Sequence, residues 1–357
     1  MSTLANIKDL DRDTLAAFLD QHGFPPFRCQ QIMDWLYQKW CIDFKAMSNL
    51  PKALQELLGE HFRASALQVQ NTQQAEDGTV KWLCRLADGE TIETVLIPAP
   101  ERSTVCISTQ VGCAVRCAFC ASGKQGLVRN LSRSEIIEQV LLACRYQNKK
   151  ITNVVVMGMG EPMHNLENLL PALELLSDPG AFGLGARHIT VSTSGIVSGI
   201  RALADCRRAW NLAISLHATS DEQRSRIIPP QHRCLIADIL SACKYFRERT
   251  NRMPTLEYTL LAGINDRDED AIQLARLARQ FHAKVNLIPC NNDTGRYQAP
   301  APAHCRQFLE RLQKLGAQAT LRLRKGGSIQ AACGQLRQQN QPPAPGNCSP
   351  SQDGWDG

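Results

Sequence analysis

Six times between residues 103 and 315 a short apolar strand is followed by an amphipathic helical segment, and this alternation limits the folds open to the chain more than any other feature. The strand segments are STVCISTQ, ITNVVVMG, RHITVSTS, WNLAISLH, TLEYTLLAG and AKVNLIPC. Helical segments lie near 133–147, 165–177, 196–205, 234–249, 267–281 and 302–315, and a last strand, ATLRLR, follows. Strand–helix repeats of this kind imply a parallel sheet with right-handed crossovers. Six repeats fall short of the closed eight-fold barrel, so the expected fold is α/β, a partial (β/α)6 barrel with its site at the C-terminal ends of the strands.

The flanking segments follow other patterns. Residues 1–65 read as short helices: Asp11 caps a first one through about Gln21, Pro25-Pro26 breaks it, FRCQQIMDWLYQKW resumes at helical spacing, and SNLPKALQELL starts a third with Pro51 in its first turn. Residues 66–100 hold ALQVQNT, TVKWLCRLA and TIETVLIP, separated by the turn pairs Asp77-Gly78 and Asp88-Gly89. That makes them an antiparallel β-meander connecting the helical module to a barrel over 101–337. The tail, 338–357, has the composition of a disordered segment, and Cys348 within it is incidental. The chain's start lacks the basic and apolar regions of an export signal, and no apolar run approaches the roughly 18 residues of a membrane span, so a cytoplasmic location is expected.

Fifteen cysteines, an odd number in a large chain, argue against a disulfide scaffold. Cys29, Cys41, Cys84, Cys144, Cys206, Cys234, Cys243 and Cys305 read as small packing residues. Cys113, Cys117 and Cys120 differ from these. Their Cys-x3-Cys-x2-Cys spacing, inside CISTQVGCAVRCAFCASGKQG, lets three thiolates converge from one loop on one face of an inorganic cluster. A four-iron four-sulfur cubane held by three cysteines keeps one iron open for another ligand. Structural zinc wants four closed ligands and fits less well, requiring a more distant fourth one.

This loop, with Phe119 just before the last cysteine and its place after the first strand of the series, resembles the radical S-adenosylmethionine superfamily. A wider set narrows the likeness. CISTQVGCAVRCAFCASGKQGLVRNL, GMGEP, STSG, LAISLHA, NLIP and AACGQL, in a chain that runs from the FRCQQIMDWLYQK helix to Leu336, resemble the RlmN/Cfr family of RNA (adenine) methyltransferases. The resemblance implies a partial barrel with a small N-terminal domain, and a 4Fe-4S cluster whose open iron chelates the methionine end of S-adenosylmethionine. Cofactor contacts are expected from Gly160 and Glu161, where glycine lets backbone approach the ligand closely, and from Ser192, Ser215, Leu216, His217 and Asn291 at successive strand ends.

The same resemblance implies the chemistry. The carbon between two adenine ring nitrogens is too electron-poor to attack a sulfonium methyl, so a polar transfer is ruled out. Cys333, in AACGQL, accepts a methyl from one S-adenosylmethionine. A deoxyadenosyl radical from a second molecule then activates that S-methyl group for addition to the base. Glu93 accepts the ring proton, and Cys106 releases the product through a transient disulfide with Cys333. Read from strand alternation alone, Glu93 could equally lie on the exposed face of a hairpin.

The expected substrate is an adenosine of 23S ribosomal RNA, unstacked or flipped to reach the pocket, with tRNA near the anticodon left open as a second substrate. The shared motifs leave carbon-2 and carbon-8 methylation open; carbon-2, the more widespread activity, is the expectation. An iron–sulfur RNA-binding protein without turnover is the reading from another class. Net charge is +6, a weak argument by itself. The groups Arg201, Arg207 and Arg208; Arg224, Arg226 and Arg233; Arg247, Arg249 and Arg252; and Arg322, Arg324 and Lys325 together are expected to grip phosphates, with the N-terminal module helping to present the RNA. An electron donor such as flavodoxin and a monomeric state complete the expectation. Two departures from the family pattern border the substrate side: Gly326, Gly327, Ser328 and Gln330 stand where acidic residues are usual, and Cys290 where an aromatic is common.

Overall fold

The N-terminal helices begin where the sequence puts their caps. The computed structural model describes residues 4–336 except 125, 230–233, 292–296, 323–324 and 333. After a two-residue strand, β1 (Ala5–Asn6), Asp11 accepts a 2.7 Å hydrogen bond from the Thr14 amide and opens α1 (Arg12–Gln21). Past Pro25-Pro26, α2 (Phe27–Met33) continues into one π-helical turn over Asp34–Gln38 and stops before Trp40, whose φ is 55°. Pro51 sits at the cap of α3 (Lys52–His61) rather than inside its first turn. β2 (Phe62–Arg63) pairs in parallel with β1 and closes the module, a bridge too short to leave a periodic trace.

This module is stapled to the barrel by buried charge. Lys8, fully buried, places Nζ 2.8 Å from Glu138 Oε2 and also bonds the Ala64 carbonyl, while Arg145 reaches Glu138 Oε1 at 2.6 Å. Asp9 accepts from both the amide and the hydroxyl of Ser134. Ions removed from water are tolerated only when paired this closely.

The meander consists of β3 (Gln68–Gln74), β4 (Val80–Arg85), β5 (Thr91–Ala99) and β6 (Arg102–Cys106), all antiparallel. Gly78 and Gly89 turn the hairpins at φ 79° and 89°, which only glycine adopts without strain. After β6 the chain forms a small hairpin, β7 (Gln110–Gly112) with β8 (Leu127–Asn130), that carries the cysteine loop; α4 (Arg133–Gln147) follows behind a Ser132/Glu135 capping box. Then come β9 (Asn153–Val156), α5 (Leu166–Ser177), β10 (Ile189–Thr193), α6 (Val197–Asp205), β11 (Asn211–Ser215), the short α7 (Asp221–Ser225), α8 (Ile236–Thr250), β12 (Thr255–Leu260), α9 (Asp268–Gln280), β13 (Lys284–Pro289), α10 (Pro302–Lys314) and β14 (Ala319–Leu321).

β6 pairs in parallel with β9, so meander and barrel are one ten-stranded sheet, ordered β3-β4-β5-β6-β9-β10-β11-β12-β13-β14. From β6 to β14 every neighbour is parallel, as the alternation requires. Val154, Val191, Leu212, Leu256 and Leu287 turn to one face and are buried in the main core with the helices. Period-two alternation then puts Cys106, Met157, Ser192, Ser215, Glu257 and Ile288 on the other, inner face. The register agrees, setting Cys106 opposite Val155 and Ser215 opposite Glu257. No helix among the described residues is long and apolar enough to cross a membrane.

Candidate active site

The inner face and the loops above it enclose a cavity at the C-terminal ends of the strands. Its wall includes Cys113, Cys117, Cys120, Gly160, Glu161, Ser192, Ser215, His217 and Asn291, each expected there from sequence. Cys106 lines an adjoining cleft, whose wall shares Met157, Ile288, Asn291 and Leu336 with the main cavity. Cys333 lies outside the described residues. Its neighbours are described: Ala331 and Ala332 line the Cys106 cleft, and Gly334 lines the main cavity. Glu93 is buried on β5 and pairs with Lys81 at 3.2 Å, not on an exposed hairpin face. The Leu216 side chain is fully buried in the main core, and it is the Leu216 carbonyl that is engaged locally, accepting from Arg224 Nε at 3.2 Å.

The cysteine loop is fixed by its backbone. Cys113 N–H donates to Gly126, Ala118 N–H to Ile227 and Ala121 N–H to Gly334, all at 2.8–3.0 Å. The loop is also tight: a Cβ on Gly123 would stand 2.7 Å from the Arg116 Cα. Burial pushes the Cys113 thiol up to about 12 and lifts Cys117 well above its ordinary range; for both, the negative charge of the neighbouring cysteines adds to the effect. To bind as thiolates, these groups would need a cationic centre to offset that cost. Three cysteines on one loop suit a cluster, whose separate irons each take one sulfur, better than a lone structural zinc, which wants four ligands. No three His, Cys, Asp or Glu side chains among the described residues converge as ligands of a single ion. No disulfide joins the described cysteines.

Above β9, the Gly158–Pro162 turn is bolted to the segment between β6 and β7. A Cβ on Gly158 would meet Ser108 Oγ at 2.6 Å, and one on Gly160, whose φ is 108°, would meet Gln110 at 2.7 Å. Glu161 spends both carboxylate oxygens on this scaffold: Oε2 accepts from the Ser194 amide at 2.7 Å and Oε1 from the Met163 amide at 3.1 Å. His217 follows β11 at φ 58° and accepts from the Thr259 amide through Nδ1 at 3.0 Å, so its ring proton sits on Nε2. Burial, and secondarily the Arg224 charge, hold this imidazole neutral with a pKa of about 3. The Phe119 ring meets its edge at 5.0 Å.

A model of the ribosomal RNA large subunit methyltransferase N-terminal domain matches residues 5–64, and a model of the radical SAM superfamily matches residues 107–275. The chain is 44% identical over 346 residues to the probable dual-specificity RNA methyltransferase RlmN of Akkermansia muciniphila, spanning 94% of this chain and 96% of that protein. It belongs to the RlmN family of radical S-adenosylmethionine RNA methyltransferases. The family's dual-specificity RNA methyltransferase RlmN from Halorhodospira halophila is also 44% identical, over 92% of each chain. The crystal structure of a radical SAM methyltransferase from Sphaerobacter thermophilus has a TM-score of 0.90 to this chain at 41% identity, covering 93% of this chain and 99% of that one.

Within this RlmN-family frame, one residue of the site went unread in the sequence, and Arg224 needs correction. Arg224 does not face phosphate: it is fully buried and donates to the carbonyls of Leu216, Cys234 and Ser194, tying together the ends of β10 and β11. Arg226 pairs with Glu222, Arg208 with Glu174 and Arg249 with Asp205 on the surface. Arg233 and Arg324 lie outside the described residues, while Arg322 and Lys325 line the Cys106 cleft. The unread residue is Glu257, a cavity-wall carboxylate in mid-strand. Its signal was present in TLEYTLLAG, where alternation puts Glu257 and Thr259 on one face of the strand.

Proposed function

We propose that this enzyme methylates carbon-2 of an adenosine in 23S ribosomal RNA, and of tRNA, in the cytoplasm, through an S-methylcysteine at Cys333. The observation that carries the reading is the pair of joined cavities: the one with the three cluster cysteines adjoins the one with Cys106, and of the residues beside Cys333, Gly334 lines the first and Ala332 the second. Cys113, Cys117 and Cys120 hold the cluster. Gly160, Ser192, Ser215, His217 and Asn291 contact S-adenosylmethionine, with Glu161 and Leu216 shaping the loops around it. When bound, the cluster and cofactor supply a hydrogen-abstracting 5′-deoxyadenosyl radical, at the cost of one electron from a flavodoxin-type donor.

The chain's own residues do the rest. The Cys333 thiolate takes a methyl group from one S-adenosylmethionine, releasing S-adenosylhomocysteine. Loss of a hydrogen atom from that methyl, which consumes a second S-adenosylmethionine, leaves a carbon radical that adds to the adenine. The one electron that the adduct must lose would pass to the oxidised cluster, and Glu93, kept beside Lys81, takes the ring proton. The Cys106 thiolate attacks the Cys333 sulfur, and the carbon–sulfur bond breaks with its electron pair on carbon, which takes up a proton as the methyl group. The Cys106–Cys333 disulfide is reset by two electrons from a thiol reductant. The catalytic unit is a monomer.

Anaerobic incubation of the cluster-loaded protein with S-adenosylmethionine, reductant and unmodified RNA, followed by mass spectrometry of the nucleosides, tests this. 2-Methyladenosine is expected, and none from a Cys333→Ala variant. Finding 8-methyladenosine alone overturns the carbon-2 assignment, and undiminished turnover by Cys333→Ala overturns the carrier.

A further inference from the structure

The cavity has two carboxylates, and they are used differently. Glu161 has both oxygens engaged by backbone amides. Glu257, at the third residue of β12, is also buried, at 5% exposed. Ser192 Oγ donates to its Oε2 at 2.9 Å, and among the described residues no lysine, arginine or histidine stands within ion-pair distance of it. The bond from Ser192 on β10 reaches β12 over β11, where Ala213 is Ser192's partner in register; the methyl side chain leaves the bridge unobstructed. Glu257 lines the cavity, opposite Ser215 in register. A carboxylate taken out of water and given one neutral donor is a poor resting arrangement. It becomes a good one when a ligand brings the missing donors.

We infer that Glu257 is a ligand-binding residue that accepts hydrogen bonds from the vicinal ribose hydroxyls of S-adenosylmethionine. This rests on the proposed function and on the family resemblance, under which the amino-acid end of the cofactor binds the open iron at the cysteine loop. The positive groups of the cofactor would then lie at that loop rather than at mid-strand β12. Of what remains, adenine presents mostly acceptors, which a carboxylate repels, whereas the ribose presents two hydroxyl donors on adjacent carbons. The hydroxyls of Ser192 and Ser215 flank Glu257 and can accept or donate to complete the diol's bonding.

Equilibrium binding to the anaerobic, cluster-loaded protein tests this with three probes: S-adenosylmethionine, S-adenosylhomocysteine and the 2′,3′-dideoxy form of the latter. Glu257→Gln should weaken the first two alike, by about tenfold or more, since each lost bond was to a charged acceptor. The dideoxy probe should bind the unaltered protein correspondingly weakly and be indifferent to the substitution. Iron and sulfide content should be unchanged. Three results overturn the inference: equal binding by Glu257→Gln and the unaltered protein, a loss confined to the charged S-adenosylmethionine, or dideoxy and normal probes binding the unaltered protein equally. The last comparison needs no variant and holds even if Glu257→Gln folds poorly. Failure of the unaltered, cluster-loaded protein to bind S-adenosylmethionine at all would instead sink the proposed function.

Discussion

Replacing Lys8 by methionine should loosen the N-terminal module from the barrel. Lys8 and Glu138 are both wholly buried, with 2.8 Å between their charged atoms. At that distance and an effective dielectric of about 20, their attraction is about 6 kcal/mol. Much of this offsets the desolvation of both ions, so the expected loss is what remains when one partner is taken away, about 3–5 kcal/mol for a buried pair. Arg145 still holds the other Glu138 oxygen at 2.6 Å, which puts the expected loss near the low end, about 3 kcal/mol. Urea unfolding of the cluster-loaded protein, followed by tryptophan fluorescence, should show it. Trp35 and Trp40 report on the module, and the buried Trp82 and Trp210 on the sheet. The Lys8→Met transition should begin earlier in the module signal. Pairing it with Glu138→Met should recover most of the loss, because an apolar pair carries no desolvation cost and Arg145 is partly exposed to water. A Lys8→Met protein within about 1 kcal/mol of the original would refute the claim that this ion pair holds the two parts together.

Two further outcomes follow from the site. His217 has its folded pKa depressed from 6.5 to about 3, so the unfolded chain binds the extra proton first. Its contribution to stability is complete above about pH 6.5 and is lost as pH falls toward 3, at about 1.4 kcal/mol per pH unit. Urea midpoints measured from pH 7 to 5 should fall less steeply for His217→Asn, and parallel slopes would show that the ring is not held neutral. Gly160→Ala forces a side chain at φ 108° against Gln110, and should cost about 1–3 kcal/mol and abolish measurable S-adenosylmethionine binding while iron content is retained. Unchanged affinity would mean that the turn does not shape the cofactor site.

Much of this was readable because barrel elements are local patterns. The expected helix over 133–147 is α4 to the residue, and Asp11 caps α1 as its side chain dictates. The cysteine loop, Ser192, Ser215 and His217 fall at strand ends, and strand ends meet in any parallel barrel. What escaped is long-range. Nothing near Cys106 says that its strand also pairs with β5, making the meander a wall of the barrel sheet. Arg224 sits in a run of charged residues that reads as surface, yet three carbonyls from separate segments converge on it. Glu257 has its meaning from Ser192, two strands and 65 residues away.

The backbone bond from Ala121 to Gly334, with Ser122 Oγ donating to Leu336, ties the cysteine loop directly to the segment around Gly334. If the proposed function holds, the loop that would carry the cluster and the segment on which the proposed methyl carrier lies are thus one hydrogen-bonded unit. Displacing either one would then be expected to disturb the other.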